Sequence, residues 1–231
     1  MYSVDSQRRV EKSVAELVSR GASLGAQVAD IIRRRIVRGE LAQGDRLTEE
    51  GVAEEFGVSR GPVRDAVSLL VNEGLVETRR PRGIYVRGLT LDDIEQLYSL
   101  RAALEQLAVS RAMRVEGTDW RQVGALVEQM NEAAESGDHA AFYRADVNFH
   151  SVFYELAQHP RLLATWRQYE PTFKALLEVT INHDEDLHES AQSHRELFDL
   201  IVAGDAERVA AELADHLERA EERMRLELDA R

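Results

Sequence analysis

Short amphipathic segments follow one another between residues 48 and 87. Thr48 and two glutamates precede apolar residues at helical spacing, which predicts a capped helix that Gly57 ends. A second helix is predicted after Ser59, a residue type that caps helices by accepting a hydrogen bond from a backbone amide. The apolar side of this second helix carries Val63, Ala66, Val67, Leu70 and Val71. The pattern therefore predicts two helices that meet across a tight turn.

The other side of the second helix is basic. Arg60, Arg64 and Ser68 recur every four residues there, so they share one face. Pro62 falls in the first turn, where a missing amide proton costs little and the helix dipole favours phosphate. This arrangement is typical of a helix-turn-helix, in which the N-terminal part of the second helix meets base edges in the DNA major groove.

Two short strands are predicted after the second helix, at residues 75–78 and 84–87, joined by a turn that contains Pro81 and Gly83. Such a pair forms a wing beside the helices. Arg80 and Arg82 stand in the turn, and arginine suits both minor-groove insertion and phosphate contact because it is planar and always charged.

Residues 24–88 resemble the winged helix-turn-helix of the GntR family of bacterial transcription regulators. The resemblance is carried by IVRGELAQGDRLTEEGVAEEFGVSRGPVRDAVSLLVNEGLVETRRPRGIYV. It implies DNA contacts at Arg46, Arg60 and Arg64, with Gly83 at the wing tip. Their positions add three further candidates to this set, namely Ser59, Arg80 and Arg82.

A net charge of −13 argues, at first, against a nucleic-acid partner. The distribution of charge removes the objection. Residues 1–88 carry 15 lysines and arginines against 13 acidic residues, whereas residues 89–231 carry 14 against 29. The acidic part would repel DNA and discourage non-specific binding, while the first part stays locally basic.

Composition bounds the class of protein. A length of 231 residues, 44% of them hydrophobic and four of them proline, predicts a folded and largely helical chain with two domains. The chain has no cysteine, no apolar run typical of a signal peptide and no run of about 18 apolar residues. We therefore expect a cytoplasmic protein without a membrane partner. The predicted parts are an N-terminal arm or frayed helix at 1–20, the DNA-binding domain at 21–88 and a second domain at 89–231.

After residue 89 the apolar spacing becomes helical and strand-like alternation disappears. Gly137 and Gly204 mark breaks, and Asp138 and Asp205 are predicted to cap the helices that follow them. Six helices are predicted, at 91–115, 119–136, 138–158, 160–182, 185–203 and 206–228. The fold class predicted for the whole chain is mainly α: a winged helix-turn-helix with a two-stranded wing, followed by an all-α helical bundle.

Candidate metal ligands lie on three of these helices. Asp146 and His150 are four residues apart, so a carboxylate and an imidazole share one face. His194 and His216 stand beside apolar residues, which indicates that they point inward. One oxygen and three nitrogen ligands suit a divalent transition ion, zinc foremost and nickel or manganese otherwise, with positions left for a ligand oxygen. A buried, hydrogen-bonded histidine without metal is the alternative for each of them.

Residues 90–228 resemble the FCD effector domain, which follows this winged helix in one branch of the GntR family. ADVNFHSVFYELAQHP and SHRELFDLIVAGDAERVAAELADHLE carry the resemblance, and they imply metal ligation by Asp146, His150, His194 and His216. LYSLRAALEQLAVSRA is similar as well, and its Arg101 is interpreted as a fork for an effector carboxylate whose other oxygen binds the metal. A salt bridge with Glu105 is the alternative for Arg101, and the two are compatible.

The function predicted is that of a homodimeric, metabolite-responsive transcription regulator, a repressor rather than an activator. It would bind an inverted-repeat operator in double-stranded DNA and respond to a small carboxylate metabolite. Two rivals stay open: a metal-dependent hydrolase that activates water at the site, and a regulator whose metal is purely structural. No HExxH helix accompanies the site, so the chain is predicted not to be an enzyme.

Overall fold

The computed structural model describes residues 22–79, 83–184 and 186–230. The arm or frayed helix predicted at residues 1–20 lies outside these residues. The chain divides into two compact units, Met1–Leu89 and Thr90–Arg231. Within the described ranges, no helix combines the length and the hydrophobicity that crossing a bilayer requires.

The described residues of the first unit form three helices and a small sheet. Its elements are α1 (Leu24–Val37), β1 (Arg46–Leu47), α2 (Glu49–Phe56), α3 (Arg60–Asn72), β2 (Val76–Arg79) and β3 (Gly83–Val86). The strands are antiparallel in the order β1-β3-β2, with Arg46 opposite Tyr85 and Val76 opposite Val86. The sheet therefore has the predicted wing strands and one more, β1, which the sequence does not predict because a strand of two residues leaves no recognisable pattern.

Local signals set the ends of α2 and the inner side of α3. Thr48 accepts a hydrogen bond from the amide of Gly51, and Gly57 ends α2 with a φ of 63°, which favours glycine. The predicted apolar side of α3 is buried except for Val71, which is 37% exposed. The prediction for Val71 was wrong because each residue turns an α-helix by about 100°, which carries Val71 away from Leu70.

A buried ion pair holds α3 against α1. Arg33 donates from Nε and Nη2 to the two carboxylate oxygens of Glu73, at 2.6 and 2.7 Å. Glu73 follows the last residue of α3, so this bidentate pair fixes the C-terminal end of the helix. Apolar residues from the helices and the sheet complete the core, among them Val28, Ile32, Phe56, Leu70 and Ile84. The outward face of α3 thus rests on a rigid support.

The second unit, in its described residues, is all helical. Its elements are α4 (Leu91–Ala112), α5 (Arg121–Ser136), α6 (His139–Leu156), α7 (Pro160–Asn182), α8 (Leu187–Ala203) and α9 (Ala206–Asp229). The six predicted helices are confirmed, with ends that differ by at most three residues. Asp138 and Asp205 cap α6 and α9 as predicted, by accepting from the amides of Ala141 and Arg208.

The helices of the second unit enclose a set of buried polar side chains. α6 contacts α4, α5 and α7, while α9 contacts α4, α7 and α8. The buried polar side chains here are Arg101, Glu105, Asp146, His150, Thr172, Thr180, His194 and His216. Charged side chains are rarely buried unless they are paired or bind a ligand, so this set of residues marks a candidate binding site. The predicted fold class, a winged helix-turn-helix followed by a helical bundle, is confirmed.

Candidate nucleic-acid interface and metal centre

The outer face of α3 is exposed and basic. Arg60, Arg64 and Ser68 are all exposed, whereas Val63 and Ala66 on the inner side are fully buried. The arginines stand in the first five residues of α3, where the free backbone amides also point outward. This face can meet a duplex without any rearrangement of the core.

Ser59 occupies the N-cap position of α3, but its side chain accepts no hydrogen bond from the helix. The predicted capping bond was therefore wrong. The cause is Pro62, the third residue of α3, which has no amide hydrogen to give. The hydroxyl of Ser59 is exposed next to Arg60, so it remains a candidate contact for a phosphate.

Two glutamates of α2 pair with the arginines of α3. Arg64 Nε lies 2.9 Å from Glu49 Oε2, and Arg60 Nη2 lies 3.5 Å from Glu50 Oε1. The Arg64 side chain is 66% exposed, so solvent weakens its pair. These glutamates therefore compete with DNA for the two arginines.

We expect Glu49→Gln to strengthen DNA binding by about 1.4- to fivefold, because an exposed ion pair is worth about 0.2–1 kcal/mol and the substitution removes it. Fluorescence anisotropy with a labelled duplex at fixed salt measures the effect. Glu54→Gln removes the same charge from α2 without touching the Arg64 pair. An equal gain in both variants would show that net charge alone is responsible.

The wing is described only in part. Gly83 begins β3 with a φ of 115°, and a Cβ built there would lie 3.4 Å from Arg46 Nε. Glycine thus permits both the backbone conformation and the close approach of Arg46 to the wing. Arg80 and Arg82 lie outside the described residues. Arg79, predicted in the turn, is the last residue of β2.

Three imidazoles converge in the second unit. His150 on α6 lies between His194 on α8 and His216 on α9, with an Nε2–Nε2 distance of 3.3 Å to each. Asp146, one turn before His150, places Oδ1 at 3.5 Å from the Nε2 of His150 and Oδ2 at 3.4 Å from that of His194. The four predicted ligands, which come from three helices, therefore meet at one point.

The second nitrogen of each ring has a partner that fixes the ring. His194 Nδ1 donates to the carbonyl oxygen of Ser190 at 2.7 Å, and His216 Nδ1 pairs with the Ser193 hydroxyl at 2.9 Å. His150 Nδ1 donates to the Glu105 carboxylate. These partners leave the Nε2 atoms turned toward one another. Such outer hydrogen bonds orient the histidines of metal sites.

Burial keeps two of these rings neutral. It lowers the pKa of His194 to about 4, although the charge of Asp146 opposes the shift. Burial and the neighbouring histidines hold the pKa of His216 well below the ordinary value. A neutral ring with its proton on Nδ1 offers a lone pair at Nε2. Lone pairs and a carboxylate that face one another repel unless a cation lies between them.

The donor set fits a divalent transition ion. Asp146 Oδ1 is buried and has no hydrogen-bond partner among the described residues, so it can still accept a bond. The ring nitrogens of His150, His194 and His216 lie within 4.8 Å of one another. One carboxylate oxygen and three imidazole nitrogens are a combination that zinc, nickel and manganese accept.

Glu105 joins the site to Arg101. Arg101 Nε donates to Glu105 Oε2 at 3.1 Å, so the salt bridge considered for Arg101 is present. Burial alone would raise the pKa of Glu105, but the neighbouring His150 and Arg101 side chains hold it below the usual value. The sequence connects Glu105 only with Arg101, four residues before it, because no sequence signal links Glu105 to His150, 45 residues away.

Comparison with known proteins places both units in one family. Residues 24–86 match the model of "Bacterial regulatory proteins, gntR family", and residues 96–219 match the model of the "FCD domain". The chain is 32% identical over 195 residues to the "Probable D-xylose utilization operon transcriptional repressor" of Paenarthrobacter nicotinovorans, covering 84% of this chain and 86% of that protein. It is 26% identical to the "HTH-type transcriptional repressor RspR" of Escherichia coli (strain K12), over 86% and 88% of the two chains.

A solved structure is similar along most of the chain. The transcriptional regulator GntR of Rhodococcus sp. RHA1 matches with a TM-score of 0.63 and 26% identity, over 88% of this chain and 98% of its own. The families and relatives are transcription regulators rather than enzymes, and the two curated relatives are named as repressors. The chain therefore belongs to the GntR family of bacterial regulatory proteins, in the branch with an FCD domain, and is a DNA-binding transcriptional regulator.

Proposed function

We propose that the protein is a homodimeric repressor that a small organic acid controls through a divalent metal site. Each winged helix-turn-helix would bind one half of an inverted repeat, because two-fold protein symmetry matches two-fold operator symmetry. The second unit would hold the metal and the acid. The acid changes operator affinity only as far as it binds more tightly to one arrangement of the protein than to another.

The exposed face of α3 supports the DNA part of the proposal. Arg60 and Arg64 stand at the N-terminal end, where a recognition helix meets base edges, and Ser59 and Arg46 flank them. Arginine reads guanine through two parallel hydrogen bonds, and any arginine can neutralise phosphate. Arg64 is the first candidate for base contact, and Arg80 and Arg82 are candidates at the wing.

One observation carries the metal part: three buried Nε2 atoms and an unpartnered oxygen of Asp146 face one another. Asp146, His150, His194 and His216 would hold the ion. A divalent ion at this point supplies a positive, Lewis-acidic anchor for a carboxylate oxygen. Ser190, Ser193 and Glu105 would keep the rings in place through their Nδ1 atoms.

Arg101 supports a carboxylate as the controlling ligand. Its guanidinium is buried and uses Nε for Glu105, and it stands over the ring of Phe173 at 5.6 Å. The charge of Glu105 raises the pKa of Arg101 despite the opposing effect of burial, so the group stays cationic. A carboxylate between Arg101 and the metal would have a positive partner on each side.

A larger cavity of about 320 Å³ also borders His216. It is lined by five carboxylates, including Glu189 and Glu212, against the two cations Arg219 and Arg223. Five carboxylates against two cations give its lining a net negative charge, which disfavours an anion. The charge of this lining therefore favours the region beside Arg101, rather than this cavity, as the place where an organic acid binds.

Thermal unfolding tests this proposal against a purely structural metal. We expect Zn²⁺ to raise the Tm of metal-stripped protein, and a panel of two- to four-carbon acids to raise it further only when Zn²⁺ is bound. A ligand at about 100 times its Kd contributes about 2.7 kcal/mol, or roughly 5–10 °C in a chain of this size. A Tm that rises with Zn²⁺ but does not change when any of the acids is added would indicate a structural ion.

A further inference from the structure

The ion pair between Arg64 and Glu49 on the outer face of α3 engages only one end of the arginine side chain. Arg64 donates from Nε to Glu49 Oε2 at 2.9 Å, and its terminal nitrogens Nη1 and Nη2 have no hydrogen-bond partner among the described residues. A guanidinium has five N–H groups, four of which are on Nη1 and Nη2. The contact at Nε therefore leaves available the end of the side chain that can donate two parallel hydrogen bonds.

Arg60 is held differently. Its Nη2 lies 3.5 Å from Glu50 Oε1, which exceeds the usual hydrogen-bond length of about 2.7–3.2 Å between nitrogen and oxygen. The two side chains are 60% and 80% exposed, so solvent screens their attraction. The contact also falls on the terminal end of the guanidinium rather than on Nε. Arg60 is therefore neither fixed in orientation nor clear at the end that would contact a base.

The start of α2 fixes the position of Glu49. Glu49 is the first residue of this helix, where the helix dipole favours a carboxylate, and Thr48 before it caps the helix by accepting a backbone hydrogen bond. The Glu49 side chain is 35% exposed, whereas that of Glu50 is 80% exposed. Val52 and Phe56 anchor α2 in the core. A carboxylate on such a support can restrain the guanidinium that it contacts.

We propose that Glu49 is a positioning residue for base recognition. It holds Arg64 so that Nη1 and Nη2 donate to O6 and N7 of a guanine in the operator, while Arg60 contacts phosphate. Guanine presents these two acceptors in the major groove, and an arginine that is already oriented loses less conformational freedom on binding. This inference rests on the proposed entry of α3 into the major groove.

The two effects of Glu49 on DNA binding differ in what they discriminate. Its negative charge opposes DNA of every sequence, because every duplex carries phosphates. The orientation that it gives to Arg64 favours only DNA with a guanine in reach. Glu49 therefore lowers the affinity for DNA in general and raises the selectivity for the operator.

The test compares full-length variants by fluorescence anisotropy at fixed salt, on the operator recovered from cells and on an unrelated duplex of equal length. The readout is the selectivity, defined as the ratio of the two affinities. We expect Glu49→Ala to lower the selectivity about threefold or more, because Arg64 loses its restraint and must be ordered on binding. Glu49→Gln keeps an oxygen that accepts from Nε, so its selectivity should stay within about twofold of the native value while both affinities rise.

Two control variants remove a charge from α2 without touching Arg64. Glu54 is exposed on the same helix, and Glu50 forms the looser pair with Arg60. We expect Glu54→Ala and Glu50→Ala to change the affinities for both duplexes by the same factor, and therefore to keep the native selectivity.

Single operator guanines replaced by 7-deazaguanine give a second measurement, because this base lacks the N7 acceptor and keeps O6. We expect at least one position at which the replacement weakens binding of the native protein about threefold or more. At that position the loss should be smaller in Glu49→Ala and absent in Arg64→Ala, since both variants lack the oriented fork.

The outcomes separate this inference from the function it rests on. Native selectivity in Arg64→Ala would overturn the proposed base contact, and the role of Glu49 with it. Loss of selectivity in Arg64→Ala but not in Glu49→Ala would leave the base contact intact and overturn the positioning role. Equal losses in Glu49→Ala and Glu49→Gln, or in Glu49→Ala and Glu54→Ala, would also overturn it, because charge rather than the restraint at Nε would then be responsible.

Discussion

Replacement of His194 by alanine is expected to weaken Zn²⁺ binding by more than about a hundredfold, because changes to the outer partners of metal ligands alone cost about 10- to 100-fold. His194 is buried, and its Nε2 lies 3.3 Å from that of His150 and 3.4 Å from Asp146 Oδ2. Its loss leaves two imidazoles and one carboxylate. Competition with a chromophoric chelator measures the affinity.

The matched control for this variant is His188→Ala. His188 is an exposed histidine on the same helix, α8, and it pairs with Asp186 rather than with the buried cluster. Native affinity in His188→Ala and weak binding in His194→Ala would place the ion at the cluster. Unchanged binding in both variants would mean that the protein holds zinc elsewhere.

Arg64→Ala is expected to lower operator affinity by about 1–3 kcal/mol, which corresponds to about 5- to 150-fold, if Arg64 contacts a base. The side chain is 66% exposed and forms a salt bridge with Glu49, which is also on the surface, so its removal leaves the core untouched. The operator is first obtained by sequencing DNA fragments bound to the protein in cells. Anisotropy at fixed salt then measures the affinity.

Two further variants separate base contact from charge. Arg64→Lys keeps the charge but loses the planar fork, so it should lose most of the preference for operator over unrelated DNA. Arg114→Ala removes the same charge from the second unit and should change operator affinity little. Equal effects of Arg64→Ala on operator and on unrelated DNA would assign Arg64 to phosphate rather than to a base.

Local chemistry made much of the fold predictable from the sequence. Gly57, Gly137 and Gly204 all end helices in a left-handed conformation, and Asp138 and Asp205 cap the next ones. Each of these signals acts within about four residues, which is the range that a sequence pattern covers. The prediction for Ser59 was wrong for the same local reason: the effect of Pro62 on capping was not taken into account.

Long-range pairing was not predictable in the same way. The spacing of Asp146 and His150 showed that they share a helix face, but family resemblance was needed to connect them to His194 and His216. Nothing in the sequence connects Glu105 with His150, because their contact depends on how α4 packs against α6. The buried Tyr154 hydroxyl and Trp166 Nε1 have no hydrogen-bond partner among the described residues, and this too becomes visible only when the packing around α7 is known.

Glu105 gives the site a physical link between the proposed metal and the proposed acid. It accepts from Arg101, the candidate for the carboxylate, and from His150, a candidate for the metal. A change in the position of Arg101 therefore acts on the orientation of a metal ligand through one buried side chain. Coupling of this kind is reciprocal, so metal and acid should each strengthen the binding of the other.

Anomalous diffraction at the zinc edge from crystals soaked in Zn²⁺ and 2-hydroxypropionate would locate the metal and the acid in a single experiment. We expect one strong peak among the Nε2 atoms of His150, His194 and His216 and an oxygen of Asp146, with the acid between that peak and Arg101. A peak at another place, or density for the acid away from Arg101, would contradict this expectation.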